Sequence, residues 1–438
     1  MARVTLPSFL ILMLLAVPAA AQVPLTLADA VAQARRQHPD VLAADARVTR
    51  ATAGVREARA ARLPRLDVVE GWQRGDMPVF AFSSRLSQRR LSADDFDIGR
   101  LNDPLSVDIF RTSVVIEQPV IDVGVRAAVR TATLDREMAV VEREQVQRDM
   151  TLATIEAYGQ VLRLEALTTA ASSAVEAARE DLAHATATRD AGRATDADVL
   201  MATVQEAAAR DEAIDIAAQL AVTRARLNFL MGEPLDAVHA LAPIAVVADV
   251  DELEAANEAD ALSRRADVRL AWTAERLAHA GVAAARAAFV PQVVARAAVE
   301  ANGASFGSRA RGWVVTTEVR WNVFRGFGDR ARLAQARAVA DERRLARAAA
   351  TDRARLDIRA ARTAVSAARA RVDLSHAAVS AARESQRIVR DRYDNGLATG
   401  TDLLRASQAV ADADARAIAA ASDAAIAHAR LQAALGVL

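Results

Sequence analysis

The sequence predicts a mainly α-helical protein carrying a small β-sheet of membrane-barrel type, with the whole plan laid down twice. Three observations predict it. The first is internal repetition. Gly192-Arg-Ala-Thr195-Asp-Ala-Asp198-Val-Leu200 returns as Gly396-Leu-Ala-Thr399-Gly-Thr-Asp402-Leu-Leu404 at a constant offset of 204. Upstream, Gly54 to Pro64 returns as Gly281 to Pro291 at an offset of 227, with seven of eleven positions identical. A repeat this long is no small solenoid unit. The second observation is proline placement. None falls within 120–233 or 292–438, and an interior proline costs a helix about 3 kcal/mol. The third is a period of two in four short stretches ahead of those tracts.

Taken in chain order, residues 1–21 carry the marks of a secretion signal. Arg3 supplies the charge, Phe9 to Val17 an unbroken apolar run, and Ala19-Ala20-Ala21 the small-residue cleavage site. The chain has no cysteine, so acylation on cysteine, disulfides and thiolate metal sites are excluded. The expected repeats are 22–240 and 241–438. Strands are expected at about 64–74 and 107–120, where Leu66, Val68 and Trp72 and then Phe110, Thr112, Val114 and Ile116 hold one parity. Glu70 interrupts the first apolar face. A long polar loop over 75–106 separates the two. A helix of about 65 residues, roughly 100 Å at 1.5 Å per residue, follows to Gly192, with Leu152, Ile155, Tyr158 and Leu162 on one face. Glycine supplies the tight corner, Thr195 can cap the returning helix, and the turn is repeated at Gly396 and Thr399.

The second half expects strands at about 291–302 and 312–324 around a short Gly/Ser-rich loop, 303–311. Val293, Ala295, Ala297, Val299 and Ala301 alternate with Gln292, Val294, Arg296, Ala298, Glu300 and Asn302. Trp313, Val315, Thr317, Val319, Trp321 and Val323 alternate with Val314, Thr316, Glu318, Arg320, Asn322 and Phe324, a face that is largely polar or charged. The two offsets put Val293 on Leu66 and Val319 on Ile116, so the apolar faces correspond. Four strands of about ten residues, apolar on one side only, suit a barrel wall in a bilayer. A second very long helix runs from about Asp329 to Val389.

Composition narrows the function. Apolar residues make up 52% but aromatics only 4%, and Lys plus Arg equals Asp plus Glu at 56 each. The chain therefore offers no basic excess for nucleic acid. Six scattered histidines lack ligand spacing, and no nucleophile elbow, phosphate loop or paired-carboxylate motif occurs. No cofactor and no enzyme activity are expected.

The ordered set of motifs resembles the TolC family of outer-membrane efflux channels across essentially the whole mature chain. The residues that carry it are Arg59/Pro64 and Arg286/Pro291 ahead of the strands, the corners Gln118 to Gly124 and Trp321 to Gly328, and Arg392-Tyr393-x-x-Gly396 with Thr399 and Asp402. Arg226 to Gly232 and Leu431-x-x-x-Leu435-Gly436 close the two halves. The resemblance implies a homotrimer whose four strands per chain close a twelve-stranded barrel above a periplasmic α-helical tunnel. It further implies an exit duct of a tripartite efflux or type I secretion system, working with a membrane-fusion adaptor and an inner-membrane pump of RND or ABC type. Localisation would be the outer membrane with a large periplasmic portion. The competing class is an exported periplasmic coiled-coil structural or adaptor protein without a pore.

By the same resemblance Gly192, Thr195, Gly396 and Thr399 mark the adaptor-docking tips. Asp402 faces the pore at the closed end, where three copies make a carboxylate ring; the alternative is an ordinary early-helix aspartate. The place of a second ring carboxylate is taken by Arg405. Tyr393 and Asp198 match a pair that bridges neighbouring coiled coils at the tip, against a half-buried tyrosine and a solvated aspartate that never meet. The companion lock arginine is replaced by Ala398.

Overall fold

A computed structural model describes residues 24–244, 255, 257–395 and 397–438. The secretion signal and Gly396 lie outside the described residues. The elements are α1 (Leu27–Gln37), α2 (Pro39–Ala60), β1 (Arg65–Gly75), α3 (Pro78–Ser87), a 3₁₀ turn at Ala93–Phe96, α4 (Ile98–Asn102), β2 (Val107–Ile121), α5 (Val123–Asp190) and α6 (Asp196–Met231). They continue with α7 (Glu258–Arg264), α8 (Ala266–Ala287), β3 (Gln292–Ser305), β4 (Ser308–Arg320), α9 (Gly328–Asp394) and α10 (Gly400–Ala434). Both proline-free tracts hold very long helices, of 68 and 67 residues.

Two loop assignments need correction. The 75–106 connection carries α3, a 3₁₀ turn and α4, elements too short to leave a periodic signal over a helical window. Asp97 caps α4 through the N–H groups of Gly99 and Arg100. The 303–311 loop shrinks to Phe306-Gly307, because its small residues continue the strands. A bulge between Asn302 and Ser305 takes up the slack. A Cβ at Gly303 would stand 2.1 Å from the Ser308 carbonyl oxygen, so only glycine fits. Trp321 to Phe324 fall beyond β4, and Trp321 donates its indole N–H to the Phe289 carbonyl.

The chain divides into two compact units, each drawing segments from both sequence halves. The first comprises the chain up to residue 38 with 153–248 and 368–426. Here α1 packs on the end of α6. Gly232, at φ +73°, stops α6, with Glu233 N–H donating back to the Asn228 carbonyl. A Cβ at Gly232 would meet the Gln37 carbonyl oxygen at 3.2 Å. Tyr158, fully buried, aims its hydroxyl between the carbonyls of Leu25 (2.7 Å) and Ala242 (2.6 Å). It ties α5 to the bridge between Leu25 and Leu241. Burial raises the phenol above its ordinary value, so the group stays a donor. Tyr158→Phe removes that proton from the part-buried carbonyls of Leu25 and Ala242, of which the first keeps the Ala242 N–H. It should lower stability by about 1–3 kcal/mol, read as a lower melting temperature in detergent with the far-UV spectrum unchanged.

The second unit holds the sheet, α2, α7 and α8, the opening part of α5 and of α9, and the C-terminal end. Gly436, at φ +70°, stops α10 in the manner of Gly232. A Cβ on it would meet Arg264 Cβ at 3.0 Å. Gly436 lies 204 after Gly232 and Arg264 lies 227 after Gln37, so one close approach is repeated at both sequence offsets.

Candidate functional site

Strand order is β1-β2-β3-β4, antiparallel throughout, and within the chain β1 and β4 are each left with an open edge. Register assigns every side chain to a face. Leu66, Ile116, Ala297 and Val315 share one row, and Val68, Val114, Val299 and Trp313 the next. Most of these are exposed, Val315 at 63% and Trp313 at 79%. The other face carries Arg65, Glu117, Arg296 and Thr316 in one row, Asp67 and Glu318 in the rows beside it, and Glu300, then Arg111 and Asn302, in the rows beyond, with Val69, Val115, Ala298 and Val314 among them. Arg111 donates across to Asn302 at 3.2 Å. The expected parity thus holds in all four strands. β2 shifts register at Pro119, which has no N–H to give the ladder.

Glu70, which interrupts the apolar face, is not a lone charge. Arg309, the second residue of β4, reaches its carboxylate at 3.1 Å, and Thr112 donates to it as well. The guanidinium also lies over the Phe306 ring at 4.3 Å. Arg309 was missed as a partner because it lies 239 residues away, and no local spacing signals such a pair. At the same end α3 packs on β2 and β3, where Val107 and Ile109 are buried. Gln88 donates to the Asp108 carbonyl at 2.8 Å, and Arg89, at φ +56°, donates to the Arg311 carbonyl at 3.0 Å.

The first unit holds the turns. Gly192, at φ +72°, ends α5, and Arg193 N–H donates back to the Thr188 carbonyl at 2.9 Å. The second turn repeats the bond 204 residues on, Leu397 N–H to Arg392 carbonyl at 2.8 Å. Each returning helix opens on a reciprocal cap. Thr195 donates its N–H and hydroxyl to the Asp198 carboxylate, both at 2.8 Å, while Asp198 N–H donates to Thr195 Oγ1 at 3.3 Å. Thr399 and Asp402 make the same three bonds at 3.0, 2.6 and 3.2 Å. The signal stood in the repeat itself, as T-x-x-D.

These bonds hold both carboxyls below the usual range. For Asp198 the Thr195 N–H and hydroxyl are responsible. For Asp402 the Thr399 hydroxyl and N–H come first, with Arg405 and Arg392 adding to them. Asp402 and Arg405 are therefore brought together electrostatically. Tyr393 and Asp198 are not brought together. Tyr393 meets the His184 ring at 5.6 Å between centroids, and among the described residues no hydrogen bond joins it to Asp198. Beside the turns, Leu200, Met201 and Val204 of α6 face Leu404, Arg405 and Gln408 of α10 across a groove of about 510 Å³. Gln205 bridges it to Gln408 at 3.1 Å.

Among the described residues no cluster of His, Asp or Glu could hold a metal ion, and no helix is long and apolar enough to cross a membrane. No curated protein matches the sequence. Solved structures do match the fold. The outer membrane protein VceC of Vibrio cholerae is 21% identical, with a TM-score of 0.80 over 94% of this chain and 96% of its own. The Campylobacter jejuni CmeC outer membrane channel is 15% identical, with a TM-score of 0.83 over 94% and 85%. The open state of the Neisseria gonorrhoeae MtrE outer membrane channel is 19% identical, with a TM-score of 0.72 over 94% and 88%. Residues 30–233 and 259–437 match the family model of the outer membrane efflux proteins. The chain belongs to that family, a transport duct of the outer membrane and not an enzyme.

Proposed function

We propose that three copies close the sheet into a twelve-stranded barrel and serve as the exit duct of a tripartite efflux or type I secretion system. The observation that carries this reading is the two-faced sheet with two open edges. Open edges cannot stand in lipid, where no water satisfies backbone groups, and joining β1 of one copy to β4 of the next removes them. The apolar rows then meet lipid and the charged rows a water-filled lumen. An adaptor without a pore has no use for such a sheet. Export would follow removal of residues 1–21, with no lipid anchor since cysteine is absent.

A periplasmic adaptor would dock at the paired turns, at Gly192, Thr195 and Thr399, with Gly396, which lies outside the described residues, assigned there by its place in the repeat. The groove lined by Leu200, Met201 and Val204 offers apolar seats to a helical hairpin. Drive would come from the inner-membrane pump, because the chain carries no nucleotide-binding motif. A tip lock between Tyr393 and Asp198 is compatible with the cap, because the Thr195 N–H and hydroxyl both go to Asp198 Oδ2 and a carboxylate has a second oxygen to accept from the phenol.

The test is direct. Protein purified from the outer-membrane fraction should run as a heat-modifiable trimer and give ohmic steps in planar bilayers without nucleotide. Recovery as a soluble periplasmic protein that never conducts would overturn the reading.

A further inference from the structure

The β1–β2 connection has no counterpart in the second half, where β3 and β4 meet across Phe306-Gly307. α2 ends at Ala60 ahead of β1, and α5 starts at Val123 after β2. The connection therefore leaves the sheet at the end away from those helices. Register decides which face it covers. Val107 and Ile109, buried at 8% and 1%, pair with Gly75 and Gln73 and share the parity of Arg111, Ser113 and Glu117. That is the charged face. α3 packs on β2 and β3, and Phe80 lies so close to Gly75 that a Cβ there would meet its ring at 3.3 Å. Gln88 and Arg89 fasten the end of α3 to the Asp108 carbonyl of β2 and the Arg311 carbonyl of β4. The connection is thus strapped from β1 to β4 across the face assigned to the lumen.

α3 has two faces. Ala81, Ser84 and Gln88, at spacings of three and four, are buried. The helical period puts Val79, Ser83 and Leu86 on the opposite side, and all three are exposed, Val79 at 82%. Phe96 and Ile98 add exposed apolar surface just beyond the helix. Apolar side chains held over a water-filled bore gain by covering one another. Distance allows it. Twelve strands about 4.8 Å apart and tilted by about 40° make a barrel of roughly 12 Å radius to the strand axes. A helix is about 10–12 Å across with its side chains. Laid on the inner wall, it brings its far face close to the barrel axis, where symmetry delivers the same face from the other two copies.

We propose that the 75–106 connections of three copies meet on the barrel axis through Val79, Ser83 and Leu86 and constrict the outer mouth of the duct. The occupant of each apolar face is the same face of the other two copies. This rests on the three-copy barrel proposed above, and it places a size restriction at the exit, on side chains distinct from those of the turns.

The absence of native cysteine gives a clean test. Ser83→Cys trimers, treated in outer membranes with a short bis-maleimide, should link two chains of every three into dimers on denaturing gels. Val68→Cys, on the apolar outer face, should stay monomeric, because its copies stand roughly 20 Å apart around such a barrel. A second measurement does not depend on that thiol. Val314 lies on the charged face opposite Ala298 and is exposed. In Val314→Cys, a maleimide carried on a bulky polymer and added outside the cell should react slowly. Adding Val79→Glu and Leu86→Glu sets six carboxylates around the axis and should part the faces. Labelling should then speed up on the order of tenfold, as expected when the parted state held a tenth of the population or less. Assembled Ser83→Cys trimers that never link would overturn the constriction, as would polymer labelling equally fast with and without the glutamates. Val68→Cys linking as readily as Ser83→Cys would do so too. Any of these results in intact trimers leaves the barrel standing, whereas a chain that never forms trimers sinks the barrel and the constriction together.

Discussion

Val315→Lys should abolish efficient insertion, and Val319→Lys should weaken it by a similar step. Both residues lie on the apolar face, opposite Ala297 and Val293, and are exposed at 63% and 66% in the single chain. An ammonium placed there would have to be dehydrated or snorkel, at about 2–4 kcal/mol near the bilayer midplane. Three subunits carry the change together. Thr316, one residue on, pairs with Arg296 and looks to the charged face, so Thr316→Lys should be mild. Folding yield into lipid vesicles, read by gel shift across a urea series, separates the two parities. Equal tolerance at 315 and 316 would show that the apolar face does not meet lipid.

That prediction could be written from the sequence because a period of two assigns faces without knowing the partner strand. The long helices were legible for a related reason: missing prolines and one-face spacing are local facts. What stayed hidden was set by distance or by brevity. Arg309 neutralises Glu70 from 239 residues away, and α3 and α4 are too short for a helical period to emerge. The caps were half legible. Thr195 and Thr399 read as caps, but Asp198 and Asp402, three residues on, read as gate residues because a resemblance supplied that role. Their carboxylates are held by the threonines of their own turns. The repeat was conserving a helix start at both tips, whatever else those carboxylates do.

Charge selectivity at the second turn should depend on Arg405 as strongly as on Asp402. The Asp402 carboxyl lies below the usual range, first through Thr399 and then through Arg405 and Arg392. Its lowered value means that the charge, and the stability it lends, are present from the ordinary carboxylate range upward. Both are lost only as pH falls through the lowered value. At neutral pH the proposed ring is fully ionised, with an arginine one helical turn behind each carboxylate. Arg405→Gln should therefore raise cation over anion preference by on the order of fivefold, the effect of one facing charge at short range in a water-like medium. Asp402→Asn should shift it the other way by a similar factor. Thr399→Ala breaks the same cap while keeping the charge, so it should lower thermal stability and leave selectivity alone. Reversal potentials across a salt gradient in planar bilayers separate the three variants. If Arg405→Gln and Asp402→Asn both keep the parental reversal potential, these side chains do not line the conducting path. Asp402 would then be what its hydrogen bonds already make it, the third residue of a helix cap.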